Sequence, residues 1–365
     1  MLKKFLVLGI GRAQIDLLER LSGRFERHAL SYSVDEHEVR HAEHFSPIDI
    51  ADKDAVLAYA EQHRIDYIYS VGSDIAMPTA TYVAEHLGLP SLVSHQAAST
   101  CNNKLELRER LRHCYGAVTY QLISNVDEKL SVRLPAVIKP ADSQGQRGVQ
   151  TIHDRSDIPA ALSVALGYSK IGKAILEEKI DGPEVSVHGY LVDGRMKFYL
   201  VSDRQTWPQF DGGIIHKHVF PSTLCENALA NVRRLCEETV TTLGIANGPI
   251  YFQIKVRDDA AYLIEVTPRL DGCHMWRLIL FATGVDLLEC VVSHLQGLPV
   301  EISETQDVRD ATLEFFCQRP DERFSFAETH PAAQYVEWYY RPGELVRRVN
   351  GRLEKCGYQI VAGAH

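Results

Sequence analysis

The stretch Val137-Ile138-Lys139-Pro140-Ala141-Asp142-Ser143-Gln144-Gly145-Gln146-Arg147-Gly148 decides how the rest of the chain is read. A short apolar run delivers Lys139 into a Ser/Gly-rich loop. Glycine has no Cβ, so backbone N–H groups in such a loop can close on an anion, and the lysine adds a point charge beside them. That is a phosphate-handling design. Its order is neither the Gly-Lys-Ser/Thr of a P-loop nor a strand-linked GxGxxG. Gly/Ser loops after strands are also ordinary turns, so the segment takes its meaning from what accompanies it.

Composition narrows the field. With 365 residues the chain has room for two or three domains. Its 45% hydrophobic and 24% charged residues are ordinary for a soluble globular protein. The net charge of −9 argues against a general binder of nucleic acid or anionic membrane. No apolar run approaches the roughly 20 residues of a spanning helix. Met1-Leu2-Lys3-Lys4-Phe5 reads as the approach to a first strand rather than a signal peptide, since charge returns between Leu17 and Arg27 without a small-residue cleavage site. Eight scattered cysteines with no CxxC pair point to reduced cytoplasmic thiols. Cys273 reads as a buried, inert thiol.

Outward from the lysine loop, the N-terminal region alternates strand and helix. Phe5 to Leu8 runs into Gly9-Ile10-Gly11 and then a helical pattern through Ile15, Leu18 and Leu21. Position 14 is Gln14, so the third glycine of a dinucleotide fingerprint is missing. Ile65 to Val71 reads as a second buried strand ending at Gly72-Ser73-Asp74. A helix from about Met77 stops at Gly88-Leu89-Pro90. His37, His41 and His44 share a metal-stripe spacing, but the charges between them favour a solvated surface helix or loop. Lys104 begins a helix reaching about Leu111, and Ile158 to Leu166 is helical.

The second half is built from hairpins. Ala174 to Val187 reads as strand, acidic turn, strand, with Glu184 placed to accept from a pair of hydroxyls. Asp193-Gly194 joins Val185–Leu191 to Met196–Val201. Asp203 to Gly213 reads as a mobile polar loop, His216-Lys217-His218 as substrate-contacting or solvent-exposed, and Glu226 to Leu243 as a helix closed by Gly244. Setting Gln253 opposite Glu265 gathers Phe252, Ile254 and Val256 with Val266, Ile264 and Tyr262 on one face, and leaves Gln253, Lys255, Glu265 and Thr267 on the other. Glu265 and Gln253 then offer two oxygens to a hard cation such as Mg²⁺, and Arg269 supplies a guanidinium suited to phosphate. The same pattern also describes a surface hairpin with a salt bridge. Short strands near Tyr335–Tyr340 and Tyr358–Val361 predict a small β-rich lobe.

Together these pieces resemble the ATP-grasp superfamily, near carbamoyl-phosphate synthetase large subunit and biotin carboxylase. The resemblance rests on Lys104, on Val137-Ile138-Lys139-Pro140 with Ser143, Gly145 and Gly148, on Leu176-Glu177-Glu178-Lys179-Ile180 with Gly182 and Glu184, and on Leu263-Ile264-Glu265-Val266-Thr267-Pro268-Arg269. It implies a mixed α/β and α+β chain. A doubly wound pre-ATP-grasp domain would fill 1–95 and an ATP-grasp fold 96–300, with a lid at about 130–190; the β-rich lobe would follow over 301–365.

The same resemblance implies roles. Lys104 and Lys139 would contact ATP phosphates under a lid carrying Ser143, Gly145 and Gly148. Glu177 and Ile180 would offer backbone groups to adenine, and Glu184 would hold the ribose. Gln253 and Glu265 would bind Mg²⁺, with Mn²⁺ as substitute. Thr267 stands where the family often has Asn at a second metal. Arg269, with Lys139, would be catalytic. Implied partners are a small-molecule carboxylate and an amine, with no nucleic acid or membrane; relatives are commonly homodimers, and the expected location is cytoplasmic. The implied reaction is a carboxylate–amine ligation through an acyl phosphate, giving ADP and phosphate. The alternatives are carboxyphosphate chemistry on bicarbonate and a nucleotide-binding protein without turnover. Asp271, His274 and Arg277 are further candidates for substrate contact.

Overall fold

The computed structural model describes residues 2–32, 36–142, 148–169, 171–210, 213–303, 307–349 and 351–363. The chain opens with β1 (Lys4–Leu8), α1 (Arg12–Leu21), β2 (Glu26–Leu30), α2 (Glu36–Val39), β3 (His44–Ser46), α3 (Lys53–His63), β4 (Tyr67–Tyr69) and α4 (Ala76–Leu87). The four strands form one parallel sheet in the order β3-β2-β1-β4. Strand β1 shows why both faces need helices. Phe5 and Val7 enter one apolar cluster, Leu6 and Leu8 another, and all four are fully buried. Each such side chain contributes about 1.5–3 kcal/mol by leaving water, and strict alternation divides that gain between the faces. Helix α4 ends as expected, on Gly88 in a left-handed conformation. His44 departs from the surface-helix expectation by lying in β3; the side chain of His37 lies outside the described residues.

Helices α5 (His95–Asn102) and α6 (Lys104–Leu111) lead out of this unit. The Asn103 side chain caps α6 by accepting from the N–H groups of Leu105 and Glu106, which fixes Lys104 as its first residue. A second sheet follows, ordered β5-β8-β6-β7, from β5 (Tyr120–Ile123), β6 (Ala136–Pro140), β7 (Gln150–Ile152) and β8 (Ala174–Glu178). Helix α7 (Ile158–Gly167) packs on it around Ile138, Ile152, Leu162 and Leu176, a core separate from the rest. This unit starts before residue 130 and ends before Glu184, so it is set earlier in the chain than the expected lid.

The third sheet has eight strands, ordered β13-β12-β9-β10-β11-β14-β16-β15. They are β9 (Glu184–Val192), β10 (Arg195–Thr206), β11 (Ile215–Phe220), β12 (Gly248–Arg257), β13 (Ala260–Thr267), β14 (Ala311–Gln318), β15 (Tyr335–Trp338) and β16 (Glu354–Ala362). Helix α8 (Glu226–Leu243) covers its apolar face, burying Val232, Leu235, Cys236 and Val240; α9 (Met275–Thr283) and α10 (Leu287–Leu295) follow β13.

Two expectations change here. Asp203 to Thr206 belong to β10, whose ladder with β11 pairs Arg204 with His218, so the polar residues face along a strand instead of forming a loop. The C-terminal strands do not make a lobe of their own. β14 pairs with β11, β16 with β14 and β15 with β16, because alternating Leu313, Phe315, Tyr358 and Ile360 bury into the main core. Phe324, Val346 and Cys356 form a small cluster beyond it. No single helix among the described residues is long and apolar enough to cross a membrane.

The N-terminal unit meets the loop after β13 at two glycines. Gly72, at φ +67°, donates its N–H to Leu270 O at 3.3 Å, and a Cβ on it would lie 2.6 Å from Gly272 Cα. Gly72→Ala is expected to cost about 2 kcal/mol or more through clash and left-handed strain. Urea unfolding measures this; an unchanged midpoint would reject the close contact.

Candidate active site

Alternation in the central sheet builds the site. Along β9, Val185, Val187 and Leu191 point to the α8 side, which leaves Glu184, Ser186 and His188 on the other face. Register carries that face sideways. Ser186 is opposite Gln253 and Ser202, His188 is opposite Tyr251, and Gln253 is opposite Glu265. Tyr251 is opposite Thr267, and Arg204 is opposite His218. The expected Gln253–Glu265 pairing therefore holds, and so does Phe252 with Val266. A β-bulge after Gln253 corrects the rest: Ile254 is opposite Leu263 and Val256 opposite Ala261. The extra residue leaves Ile264 and Tyr262 half-buried while Leu263 and Ala261 take the core positions.

The lysine strand supplies the opposite wall. Lys139 is buried on β6 and donates to Glu177 Oε1 on β8; Arg108 Nε on α6 donates to Glu177 Oε2 at 3.2 Å, and its Nη2 to Ile264 O at 3.0 Å. Lys104 lies one helical turn before Arg108, on the same face. Glu177 thus differs from its expected role. Its strand lies between β5 and β6, opposite Tyr120 and Val137, so its backbone belongs to the sheet and its carboxylate holds Lys139 and Arg108. Ile180 is buried just past the end of β8, where Glu178 and Lys179 N–H groups are already bonded to Thr119 O and Pro135 O. Gly148, at φ +72°, packs tightly against Pro140 and Tyr168. Ser143 and Gly145 lie outside the described residues.

On the sheet side, Glu184 Oε1 accepts from Gln253 Nε2 at 2.7 Å and from Arg204 Nη1, and Lys255 Nζ stands 3.7 Å from Oε2. With Nε2 committed, Gln253 keeps its carbonyl oxygen for another partner. Burial, then the nearby Asp74 carboxylate, pushes the Glu265 carboxyl up against the pull of Arg269, Lys104 and Lys139. A half-buried carboxylate beside a second one is a setting that a divalent cation relieves. Thr267 is buried with its Oγ1 unpartnered. Glu265, Gln253 and Thr267 therefore offer an all-oxygen donor set that fits Mg²⁺. Arg269 is buried, donating through Nε to Asp74 Oδ1 at 2.7 Å and through Nη1 to Leu270 O at 2.9 Å.

Three residues of this site carry no motif: Asp74, Arg108 and Arg204. Asp74 follows the C-terminal end of β4, the edge of a parallel sheet where ligand sites collect, and its sequence context of Gly72-Ser73 was the only signal. Arg108 was marked only by its spacing from Lys104. The loop after Arg269 divides in two. Asp271 is buried with Oδ2 unpartnered, 4.0 Å from His218 Nε2, and His188 Nε2 and His218 Nε2 are unpartnered as well. Burial keeps both imidazoles neutral, His188 at about 4. His274 and Arg277 turn away from substrate contact: they bind Asp16 at 3.3 and 2.8 Å, and His274 also reaches Tyr339 OH at 3.0 Å. Burial pushes the Cys273 thiol up, in keeping with an inert cysteine.

The Glu177 triad has a pH signature. Burial alone would raise its carboxyl above the ordinary 4.5, but Lys139 and Arg108 outweigh this and hold it at about 2. Its contribution is complete above pH 4.5 and is lost as pH falls toward 2. Glu177→Gln is expected to cost about 3 kcal/mol or more at neutral pH by stranding two buried cations. It should also flatten the acid limb of a urea-derived stability curve; identical acid sensitivity in the two proteins would contradict the triad.

Residues 132–276 match the family model described as ATP-grasp domain. An uncharacterized protein, y4rH, of Sinorhizobium fredii is 24% identical over 245 residues, covering 63% of this chain and 49% of y4rH, so the chain spans about half of that relative. A formate-dependent phosphoribosylglycinamide formyltransferase of Rhodococcus jostii is 24% identical over 290 residues, covering 76% and 70%. The crystal structure of an L-amino acid ligase from Bacillus licheniformis shares the fold with a TM-score of 0.79 at 19% identity, covering 99% of this chain and 93% of that one. The family model lies across the lysine strand, the Glu177 triad and the Gln253–Glu265 hairpin, so residues 132–276 of this chain resemble an ATP-grasp domain.

Proposed function

We propose that the protein is an ATP- and Mg²⁺-dependent ligase joining a small-molecule carboxylate to an amine or amino acid. The observation that carries this reading is the convergence of cations and carboxylates on the polar face of the central sheet. The Lys104, Lys139 and Arg269 charges all act on Glu265, whose cross-strand neighbour Gln253 is held by Glu184. The formyltransferase and the L-amino acid ligase among the similar proteins support the reaction class.

The chemistry follows from charge. A carboxylate repels nucleophiles and lacks a good leaving group. Its oxygen attacks the ATP γ-phosphorus, the bond from that phosphorus to the β–γ bridging oxygen breaks, and ADP departs. The amine nitrogen then attacks the acyl carbon of the resulting acyl phosphate, forms the C–N bond and expels phosphate, losing a proton. Glu265, Gln253 and Thr267 would hold Mg²⁺, which offsets phosphate charge when bound. Lys139 is set beside the phosphates by Glu177, and Arg269 is set against Asp74, so neither must reorganise as charge develops. Glu184 would accept from the ribose hydroxyls.

ADP release should depend on both a carboxylate and an amine when panels of each are screened with bicarbonate as a separate arm, and hydroxylamine should trap the acyl phosphate as a hydroxamate. Turnover with bicarbonate alone would move the reading to carboxyphosphate chemistry; ATP binding without turnover in any pairing would make the protein a nucleotide sensor.

Two variants test the assignments. Lys139→Ala should weaken ATP binding and lower kcat at least tenfold, and unchanged values would remove Lys139 from the site. Glu265→Gln should shift the magnesium titration to higher concentration; an unaltered curve counts against its ligand role.

A further inference from the structure

At the base of the N-terminal sheet, at the strand ends opposite the one that Asp74 follows, three metal-ligating groups meet. Glu26 and His28 are two apart on β2 and so share a face, and His44 lies directly opposite His28 on β3. The same carboxylate oxygen, Glu26 Oε1, stands 3.3 Å from His28 Nε2 and 3.0 Å from His44 Nε2, and the three ligand atoms all lie within 4.8 Å of one another. Bonds of about 2.0–2.1 Å at a tetrahedral angle place neighbouring ligand atoms about 3.3 Å apart. The observed spacings are already close to that geometry.

The surroundings are those of a built site. His28 is 1% exposed, and Tyr59 OH on α3 lies 2.9 Å from its Nδ1, which orients the ring and directs Nε2 toward Glu26. The His44 ring stacks on His28 with centroids 4.5 Å apart, and His63 closes the other side at 5.4 Å. Lys4 is the fixed cation nearby, 3.8 Å from Glu26 Oε1, but its ammonium is tethered to His63 O at 2.9 Å. Glu26 and His44 are each part-exposed, which leaves an entry path and room for a water as fourth ligand.

We propose that Glu26, His28 and His44 bind a divalent transition ion of the zinc class, with two imidazole nitrogens, one carboxylate oxygen and a solvent ligand. The ion clips β3, a three-residue edge strand, to β2. Its place at the strand starts, opposite the ligand-bearing ends of the sheet, makes it a structural ion and not a participant at the ATP site.

The test uses the full chain in buffer containing millimolar Mg²⁺, which saturates oxygen-only sites. Equilibrium dialysis with zinc should give one tightly held ion, cobalt(II) should show the visible bands of tetrahedral coordination, and zinc should raise the thermal midpoint. His44→Ala, at a part-exposed position that should fold, is expected to weaken cobalt binding at least tenfold and abolish the zinc-dependent rise; Glu26→Gln should do the same in smaller degree. Cys273→Ser should change neither, which separates this site from the group formed by His218, Asp271 and the half-buried Cys273. Absence of saturable binding in the unaltered protein, binding undiminished in His44→Ala, or loss in Cys273→Ser alone would each overturn the proposal.

Discussion

Everything in this protein depends on the two-sidedness of its eight-stranded sheet. Because successive side chains point to opposite faces, β9 can bury Val185 and Val187 under α8 while presenting Glu184, Ser186 and His188 to the other side. The apolar face supplies stability that the polar face consumes. Thr267 Oγ1, Asp271 Oδ2, His188 Nε2 and His218 Nε2 are buried without partners, each costing about 1–3 kcal/mol relative to a satisfied group.

The pairing of charges follows a consistent logic. Three cations of this region each have a carboxylate that holds them in place: Lys139 has Glu177, Arg269 has Asp74, Arg204 has Glu184. A buried ion pair gains little net stability over a well-packed apolar pair. Its use is to fix the direction of the charged groups.

Much of this was legible in the sequence where the physics is local. Helix α6 beginning at Lys104, helix α8 closing on Gly244, the Asp193-Gly194 hairpin and the Gln253–Glu265 register all follow from caps, turns and period-two alternation within a few residues. What was hidden is non-local. The bulge after Gln253 leaves the apolar count of β13 unchanged, so alternation alone could not place Ile264. Asp74 reaches Arg269 across 195 positions, and Arg108 reaches Glu177 across 69. The C-terminal strands looked like a separate lobe because nothing in 335–362 names its sheet partner; β14 supplies it. His44 was weighed with His37 and His41, its neighbours in sequence, whereas its neighbours in space are His28 and Glu26.

The contact between Gly72 and Gly272 has a bearing on how such a chain could be recombined. It seats the segment carrying Asp74 against the segment carrying Arg269, so the first sheet is packed into the same surface as the Arg269 loop and is not a detachable prefix. A chimera that kept the ATP-grasp segment and replaced the N-terminal unit would inherit a buried guanidinium without its Asp74 partner and a loop with no backplate. Modularity in this architecture is therefore limited by two glycines and one carboxylate, which would have to travel together.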